Sequence, residues 1–473
     1  MSERIGSGSG EPTETVDAEA VREFAESFHG TVIRPADEAY EEARKIWNGM
    51  IDRRPALIAR CSGTADVVAA VGFAREHGLP LAVRGGGHNV AGSAVCDDGL
   101  VVDLSEMTGV FVDPAARRAR AQGGATIGDV DRETQLFGLA APLGVVSATG
   151  IAGLTLNGGV GHLRRKYGLS LDNLVSAEVV TADGRVRTAS EEENPDLFWA
   201  IRGGGGNFGV VTSFEYRLHE VGPEVFGLFV WHRGDSEEAL RAFRGYAEGA
   251  SRNASVLPFY AVVPELEEFP EASWGDPAVA FLGCYDGPVA EAEAEFRALR
   301  EFADPVVDFS GPMAYTDLQS MLDADYPDGL RYYWKAVYVT ELTDEVLGLV
   351  RRRGAGSPSP LSTVDIWHLG GAIGDVAPDA TAFRHREPAF MITFEANWED
   401  PATDDENVAW ARDGITELGD LPVSKGAYGN FPGLGEDPAR LLFGENYDRV
   451  VEVKATYDPE NLFRLNQNVA PSA

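Results

Sequence analysis

The sequence predicts an α+β protein built in two parts, and three observations carry that reading. Glycine-rich blocks dominate residues 80–210. Near Pro223 those blocks stop, and strand-like runs begin to alternate with amphipathic helices. From Lys425 onward the chain becomes a tail dense in aromatics and amides. At 473 residues it is also too long for one ordinary core. The expected division is a disordered 1–17, a first domain over 18–222, a second over 223–424 and a distinct segment over 425–473.

Taken in order, Val16–Glu26 has helical spacing and Ala56–Ala59 reads as a strand. Gly63–Gly78 reads as a helix with Thr64 as its N-cap. The strand Leu81–Val83 runs into Arg84-Gly85-Gly86-Gly87-His88-Asn89. Consecutive glycines allow positive φ and let backbone N–H groups converge on one point, which suits a phosphate or pyrophosphate. A tight turn carrying an exposed histidine is the plain alternative. Leu100–Leu104, Val110–Val112 and Arg118–Gln122 read as strands. Thr126–Phe137 reads as a helix capped by Thr126 or Asp129.

The block Pro142–Gly161 is too rich in small residues for a conventional core helix. Close backbone approach to a flat ligand explains it, as does a tightly packed helix–loop junction. Ala177–Thr181 and Val186–Thr188 form a hairpin about Asp183-Gly184. Asn194–Ala200 is a helix and Val210–Leu218 a strand. Between them, Gly204-x-Gly206-x-x-Gly209 satisfies a dinucleotide-binding pattern, but a helix precedes it and a strand follows. The mechanism behind that pattern requires the reverse order, so a Rossmann site is rejected.

In the second part, strands are expected at Phe226–Trp231, Phe259–Val263, Ala278–Tyr285, Tyr332–Val339, Thr363–Leu369 and Ala389–Trp398. Helices are expected at Ser236–Tyr246, Val289–Glu301, Asp344–Arg353 and Asn407–Leu418.

A net charge of −35 argues against nucleic-acid or anionic-membrane partners. It suits a salt-adapted surface, with an ordinary acidic bacterial enzyme as the alternative. No apolar run reaches membrane-spanning length and no signal peptide is evident, so a cytoplasmic location is expected. Cys61, Cys96 and Cys284 form no CxxC pair; neither a disulfide framework nor a metal site is expected.

Taken together, Arg84–His88, the 144–161 block followed by Tyr167-Gly168-Leu169 and Asp172-Asn173, Arg202–Gly209 leading into Val210-Val211-Thr212, Tyr428-Gly429-Asn430 and Asn466-Gln467-Asn468 form one pattern. It resembles the FAD-linked oxidases of the berberine bridge enzyme type, within the vanillyl-alcohol oxidase superfamily. The resemblance runs from about Trp47 to Val469. It implies a two-part FAD-binding domain of the vanillyl-alcohol oxidase/PCMH type, an α+β substrate domain on an antiparallel sheet, and a C-terminal segment returning to the FAD domain.

The FAD-contacting positions implied are Arg84, Gly85, Gly86, Gly87, His88, Asn89, Gly144, Val146, Thr149, Gly150, Gly153, Leu154, Gly158, Gly159, Gly161, Asn173, Gly209, Val210, Val211, Tyr428, Asn430, Asn466 and Asn468. His88 would be bonded to the flavin 8α-methyl carbon. Many members add a cysteine link two positions after the glycine matched by Gly144. Here that position is Val146, so one link is expected, as in the singly linked bacterial members.

The implied reaction is hydride transfer from a CH–OH donor, a sugar hemiacetal or secondary alcohol, to covalent flavin, with O2 reduced to H2O2. A CH–NH oxidase and a dehydrogenase with another acceptor are the alternatives; a non-catalytic flavin- or sugar-binding module is the different class. The implied partners are a small-molecule substrate and O2, in a monomer or homodimer. Tyr428 is the first candidate for the base, for which it would need a lowered pKa, or for the hydrogen-bond partner of the reacting oxygen. The family's second tyrosine is here Phe431. Thr393 matches best the position where some members carry a base; Glu395, two residues on and sharing its strand face with Asn397, is the substitute, unless it is a solvated strand carboxylate. Trp367, His368 and His162 are weaker candidates.

Overall fold

The computed structural model describes residues 17–235, 237–432 and 439–472; the expected disordered start falls almost wholly outside them. The fold is α+β, with a four-stranded and a five-stranded sheet in its first half, a two-stranded pairing of Leu139–Ala140 with His219–Glu220, and one large sheet in its second half. The first sheet orders its strands Thr31–Ile33, Leu57–Arg60, Leu100–Asp103, Leu81–Arg84, and the last three run parallel. The helix Thr64–Glu76 carries the chain from Leu57–Arg60 to Leu81–Arg84 on the far side of Leu100–Asp103, and the loop 85–99 makes the return crossover to that central strand. Its cap differs from the expectation: Gly63 occupies the cap position and Thr64 Oγ1 instead donates to Glu178 Oε1 at 2.7 Å. The Asp66 carboxylate accepts from the backbone N–H groups of Ser62, His29 and Gly30.

The second sheet is antiparallel, ordered Val110–Asp113, Arg118–Gln122, Val210–Arg217, Leu174–Val180, Val186–Ser190. The helix Ile127–Thr134 begins at a capping box in which Thr126 and Asp129 serve each other. The rejected dinucleotide motif lies as the sequence order requires, between the helix Pro195–Ile201 and the strand Val210–Arg217.

The large sheet is antiparallel throughout. It runs Val307–Asp308, Glu224–Arg233, Pro277–Tyr285, Ala254–Val262, Thr363–His368, Phe390–Trp398, Arg331–Val339, Ser424–Ala427, with Gly311–Ala314 also pairing Glu224–Arg233. One face is dry. Leu228, Val256, Phe281, Ile366 and Ile392 pack against Phe243, Phe296, Leu347 and Trp410 of the covering helices. The opposite face looks toward the glycine-rich half.

Two arginines cross between the halves. Arg164 is buried and donates to the carbonyls of His368 (2.7 Å), Gly161 (2.9 Å) and Val256 (2.6 Å). Arg165 bonds His368 Nε2 and the carbonyls of Leu369 and Ala250. The fan of guanidinium donors suits such splayed carbonyls. His368 is therefore part of this junction rather than of a pocket.

After Ser424–Ala427 the chain crosses back to the glycine-rich half. A helix that the tail's aromatic content concealed, Tyr447–Tyr457, carries the buried Lys454, which donates to Asn207 O, Asp458 Oδ2 and Phe463 O. Asn207 in turn donates to Gln467 O and accepts from Val469 N.

Arg84, expected to touch the cofactor, is instead structural. Its guanidinium donates to buried Asp103 (2.6 and 3.1 Å) and to the carbonyls of Ala43 and Lys45. Burial alone would raise the Asp103 carboxyl, but Arg84 and Arg60 hold it below the ordinary range. This stabilisation is present at neutral pH and is lost as pH falls through the depressed pKa. Arg84→Met leaves a buried carboxylate short of its partner, and a loss of about 3–5 kcal/mol is expected from urea unfolding at neutral pH, shrinking in acid.

Candidate active site

A cavity of about 730 Å³ lies between the glycine-rich half and the open face of the large sheet. That volume falls within the usual range for cofactor and ligand sites. Its first end is built from three backbone segments and the tail: Gly85–Asn89, Gly144–Leu154, Gly206–Gly209 and Asn466–Gln467. Two of these segments touch without side chains between them. A Cβ on Gly86 would lie 2.5 Å from Gly150 N, and one on Gly150 would lie 2.4 Å from Gly86 N. At Gly153, by contrast, a Cβ would meet nothing within 4 Å. Close packing explains some of the glycines, and open space facing a ligand explains others.

His88 lines this end, half-buried, and its Nε2 is shielded from solvent without a hydrogen-bond partner. Burial lowers its pKa to about 4, so the ring is neutral. Asn466 Oδ1, on the same wall, is likewise shielded without a partner. Buried polar atoms are normally satisfied, so such a set fits a polar group that belongs between them.

The second end is aromatic and acidic. Glu395 is fully buried: Tyr326 Oη donates to its Oε2 at 2.9 Å and Thr393 Oγ1 to its Oε1 at 3.1 Å. Asp365 on the adjacent strand hydrogen-bonds to it. Burial pushes Glu395 up to about 7, while burial and the neighbouring Glu395 charge push Asp365 well above the carboxylate range. Asp325 also lines the cavity and is raised by burial. Around them stand Tyr326, Trp334, Trp367 and Phe431. Among the described residues, no lysine or arginine lines the cavity.

Tyr428 sits where the two ends meet. Its phenol oxygen accepts from Asn430 Nδ2 (2.9 Å) and Gly159 N (3.3 Å). Burial raises its pKa, the opposite of what a tyrosine base needs.

Of the residues singled out from the sequence, Gly85, Gly86, Gly87, His88, Asn89, Gly144, Val146, Thr149, Gly150, Gly153, Leu154, Gly209, Val211, Glu395, Tyr428, Asn430 and Asn466 line the cavity. Others do not. Arg84 is turned to Asp103. Gly158 and Gly159 lie beneath Tyr428 and Ser170, and Gly161 is pressed against the Leu143 carbonyl. Asn173 is occupied with Tyr167 O, Leu169 O and His219 Nε2. Val210 belongs to the apolar core beside Val67 and Val71. Asn468 lies behind Asn466, its N–H donating to Asn466 O. Thr393 is covered by Trp367, whose Nε1 donates to it at 3.3 Å. His162 is buried away from the cavity, with its pKa lowered by burial to about 3.

Sequence reasoning missed Asp325, Tyr326, Trp334 and Asp365. The available signal was the alternation Thr363-x-Asp365-x-Trp367, which puts Asp365 on the face that Trp367 shares.

A backbone-lined chamber beside a neutral histidine thus opens on a sheet face that carries carboxyl groups. Residues 55–190 match the family model described as FAD binding domain, and residues 427–470 that described as berberine and berberine like. The chain is 33% identical over 462 residues to (R)-6-hydroxynicotine oxidase of Paenarthrobacter nicotinovorans, covering 94% of this chain and 97% of the relative. It is 32% identical to an FAD-linked oxidoreductase of Dictyostelium discoideum, covering 95% and 97%. A solved 6-hydroxy-D-nicotine oxidase from Arthrobacter nicotinovorans superposes with a TM-score of 0.83 at 32% identity, covering 94% of this chain and 99% of that one. A chitooligosaccharide oxidase shares the fold, at TM-score 0.82 and 24% identity over 96% of this chain and all of the other. The chain belongs to the berberine bridge enzyme-like FAD-dependent oxidoreductases.

Two outcomes follow from the packing. Gly150→Ala forces the two glycine segments apart and should cost about 1–3 kcal/mol, read as a lowered midpoint in thermal unfolding. Glu395→Gln removes a carboxyl whose folded pKa of about 7 exceeds its unfolded value. The neutral form stabilises the fold below about pH 4.3, and that contribution is lost as pH rises through the folded value. The stability of Glu395→Gln relative to the parent should therefore rise across this window in paired urea titrations, and a flat difference would refute the shift.

Proposed function

We propose that the chain oxidises a small, largely apolar amine at a C–H beside nitrogen, using FAD bonded to His88 and dioxygen as electron acceptor. The acid end of the cavity carries the choice of donor. Asp365 and Glu395 are buried beside aromatic rings, Asp325 and Glu399 line the same end where it is more exposed, and no lysine or arginine is on the wall among the described residues. A buried carboxylate without a cation is costly, and a substrate ammonium supplies that cation. Trp334 and Trp367 add aromatic surface for it. A sugar or alcohol brings no such charge, so the CH–NH branch is favoured over the CH–OH branch. The relative named for 6-hydroxynicotine points the same way.

Bound FAD supplies the acceptor for the hydride leaving the substrate carbon. Glu395, as carboxylate, takes the proton from the substrate nitrogen. Tyr326 and Thr393 hold its two oxygens, so its orientation is set before substrate arrives. Asp365 shares its hydrogen bond and stays protonated. Phe229, Leu257, Phe259 and Met391 exclude water. Tyr428 orients rather than abstracts, because its phenol is raised. Overall, two electrons and two protons leave the C–N unit and pass to dioxygen as H2O2. His88 is proposed as the single covalent anchor, with Val146 lining the cavity where a second link would need a thiol.

Anaerobic flavin bleaching with a panel of cyclic amines, secondary alcohols and aldoses tests the donor class; bleaching by sugars or alcohols alone would remove the amine reading. With an amine, kcat/KM should rise with pH and level off above about 7, the value to which Glu395 is pushed. Glu395→Gln should lower kcat by about 10²–10⁴-fold. Peroxide release on turnover checks the acceptor.

A further inference from the structure

Resting on the reading that His88 carries the flavin, we propose that Trp47 is the positioning residue for that attachment, and that it makes attachment depend on docking of the large sheet. The indole lies flat on the His88 imidazole, with ring centroids 4.0 Å apart and planes at 16°. Its other face is covered by Tyr332 of the large sheet at 3.6 Å and 11°. Three rings thus form one stack reaching from the sheet to the histidine.

The stack is fixed at every level. Trp47 Nε1 donates to Tyr326 O at 2.9 Å, and Tyr332 Oη to Pro327 O at 2.6 Å. The next residue, fully buried Asn48, donates to Val90 O in the histidine loop and to Tyr332 O in the sheet. Its Oδ1 accepts from Tyr332 N at 3.1 Å. The loop that presents His88 and the strand that presents Tyr332 are therefore held together at the point where the stack forms. The imidazole is neutral and its Nε2 is free, so the ring is nucleophilic, and the indole sets its plane.

In the attachment step, a ring nitrogen bonds to the flavin 8α carbon. The imidazole N–H and one 8α C–H hydrogen are lost, and the two electrons and two protons pass through the flavin to dioxygen as H2O2. The reaction is sensitive to the placement of the imidazole, since misplacement by about 1 Å can cost about 10²-fold.

The test is the rate at which acid-stable flavin appears when FAD is added to apoprotein from riboflavin-starved cells. Wild type should become acid-stable. Trp47→Ala should bind FAD by absorbance but attach it about 10²-fold more slowly. Trp47→Phe should recover most of the rate. Tyr332→Leu, which keeps the indole hydrogen bond but removes its backing ring, should be intermediate. If Trp47→Ala fails to fold, the Phe and Tyr332 variants still decide, because both attaching at the wild-type rate would overturn the proposal. Attachment at the wild-type rate in Trp47→Ala would overturn it too. If wild type releases all its flavin in acid, the histidyl reading itself fails, an outcome distinct from slow attachment in the variants alone.

Discussion

The direct contact between Gly86 and Gly150 sets the rest of the site. Neither position has room for a Cβ, so the two loops meet backbone to backbone. That approach brings His88, four residues beyond the end of the parallel strand Leu81–Arg84, beside the segment that follows Gly144. Any side chain between them would separate the chamber wall by a fixed increment, and the interior is too dense to absorb it. The glycines therefore have two purposes: some allow backbone contact, and others leave space.

The second constraint is how the two halves are joined. Arg164 and Arg165 cross the junction with their hydrogen bonds directed to carbonyls and to one imidazole rather than to carboxylates. This arrangement satisfies strand-end carbonyls that would otherwise be buried. It also leaves the chain's acids free to serve elsewhere, and four of them, Asp325, Asp365, Glu395 and Glu399, line the cavity. The charge pattern of the site follows: cations hold the lobes together while the chamber wall carries only acids and neutral groups.

Much of the fold was legible in the sequence, because alternation and glycine spacing are local signals. The strand Arg118–Gln122 and the box of Thr126 and Asp129 follow from a few adjacent residues. What was misread depends on distant partners. Arg84 sits in a ligand-like motif but is committed to Asp103, which lies on the neighbouring parallel strand. Glu395 could be read as a solvated strand carboxylate until the sheet face was known to be covered, and it is buried against Tyr326 and Thr393. Thr64 resembles a cap, yet Glu178 in another sheet takes its hydroxyl. The helix Tyr447–Tyr457 was hidden in a tail read for its aromatics, and the three oxygens that its buried Lys454 satisfies come from Asn207 in a distant part of the chain as well as from Asp458 and Phe463.

The brace between Lys454, Asn207 and Gln467 has a consequence for biosynthesis. Asn466 and Gln467 wall the same chamber as Gly86, but they leave the ribosome after nearly everything else that lines it. During translation the chamber is a half-site, open on the side that the tail later closes. The wall that Asn466 and Gln467 supply is therefore completed later in synthesis than the wall that Gly86 supplies.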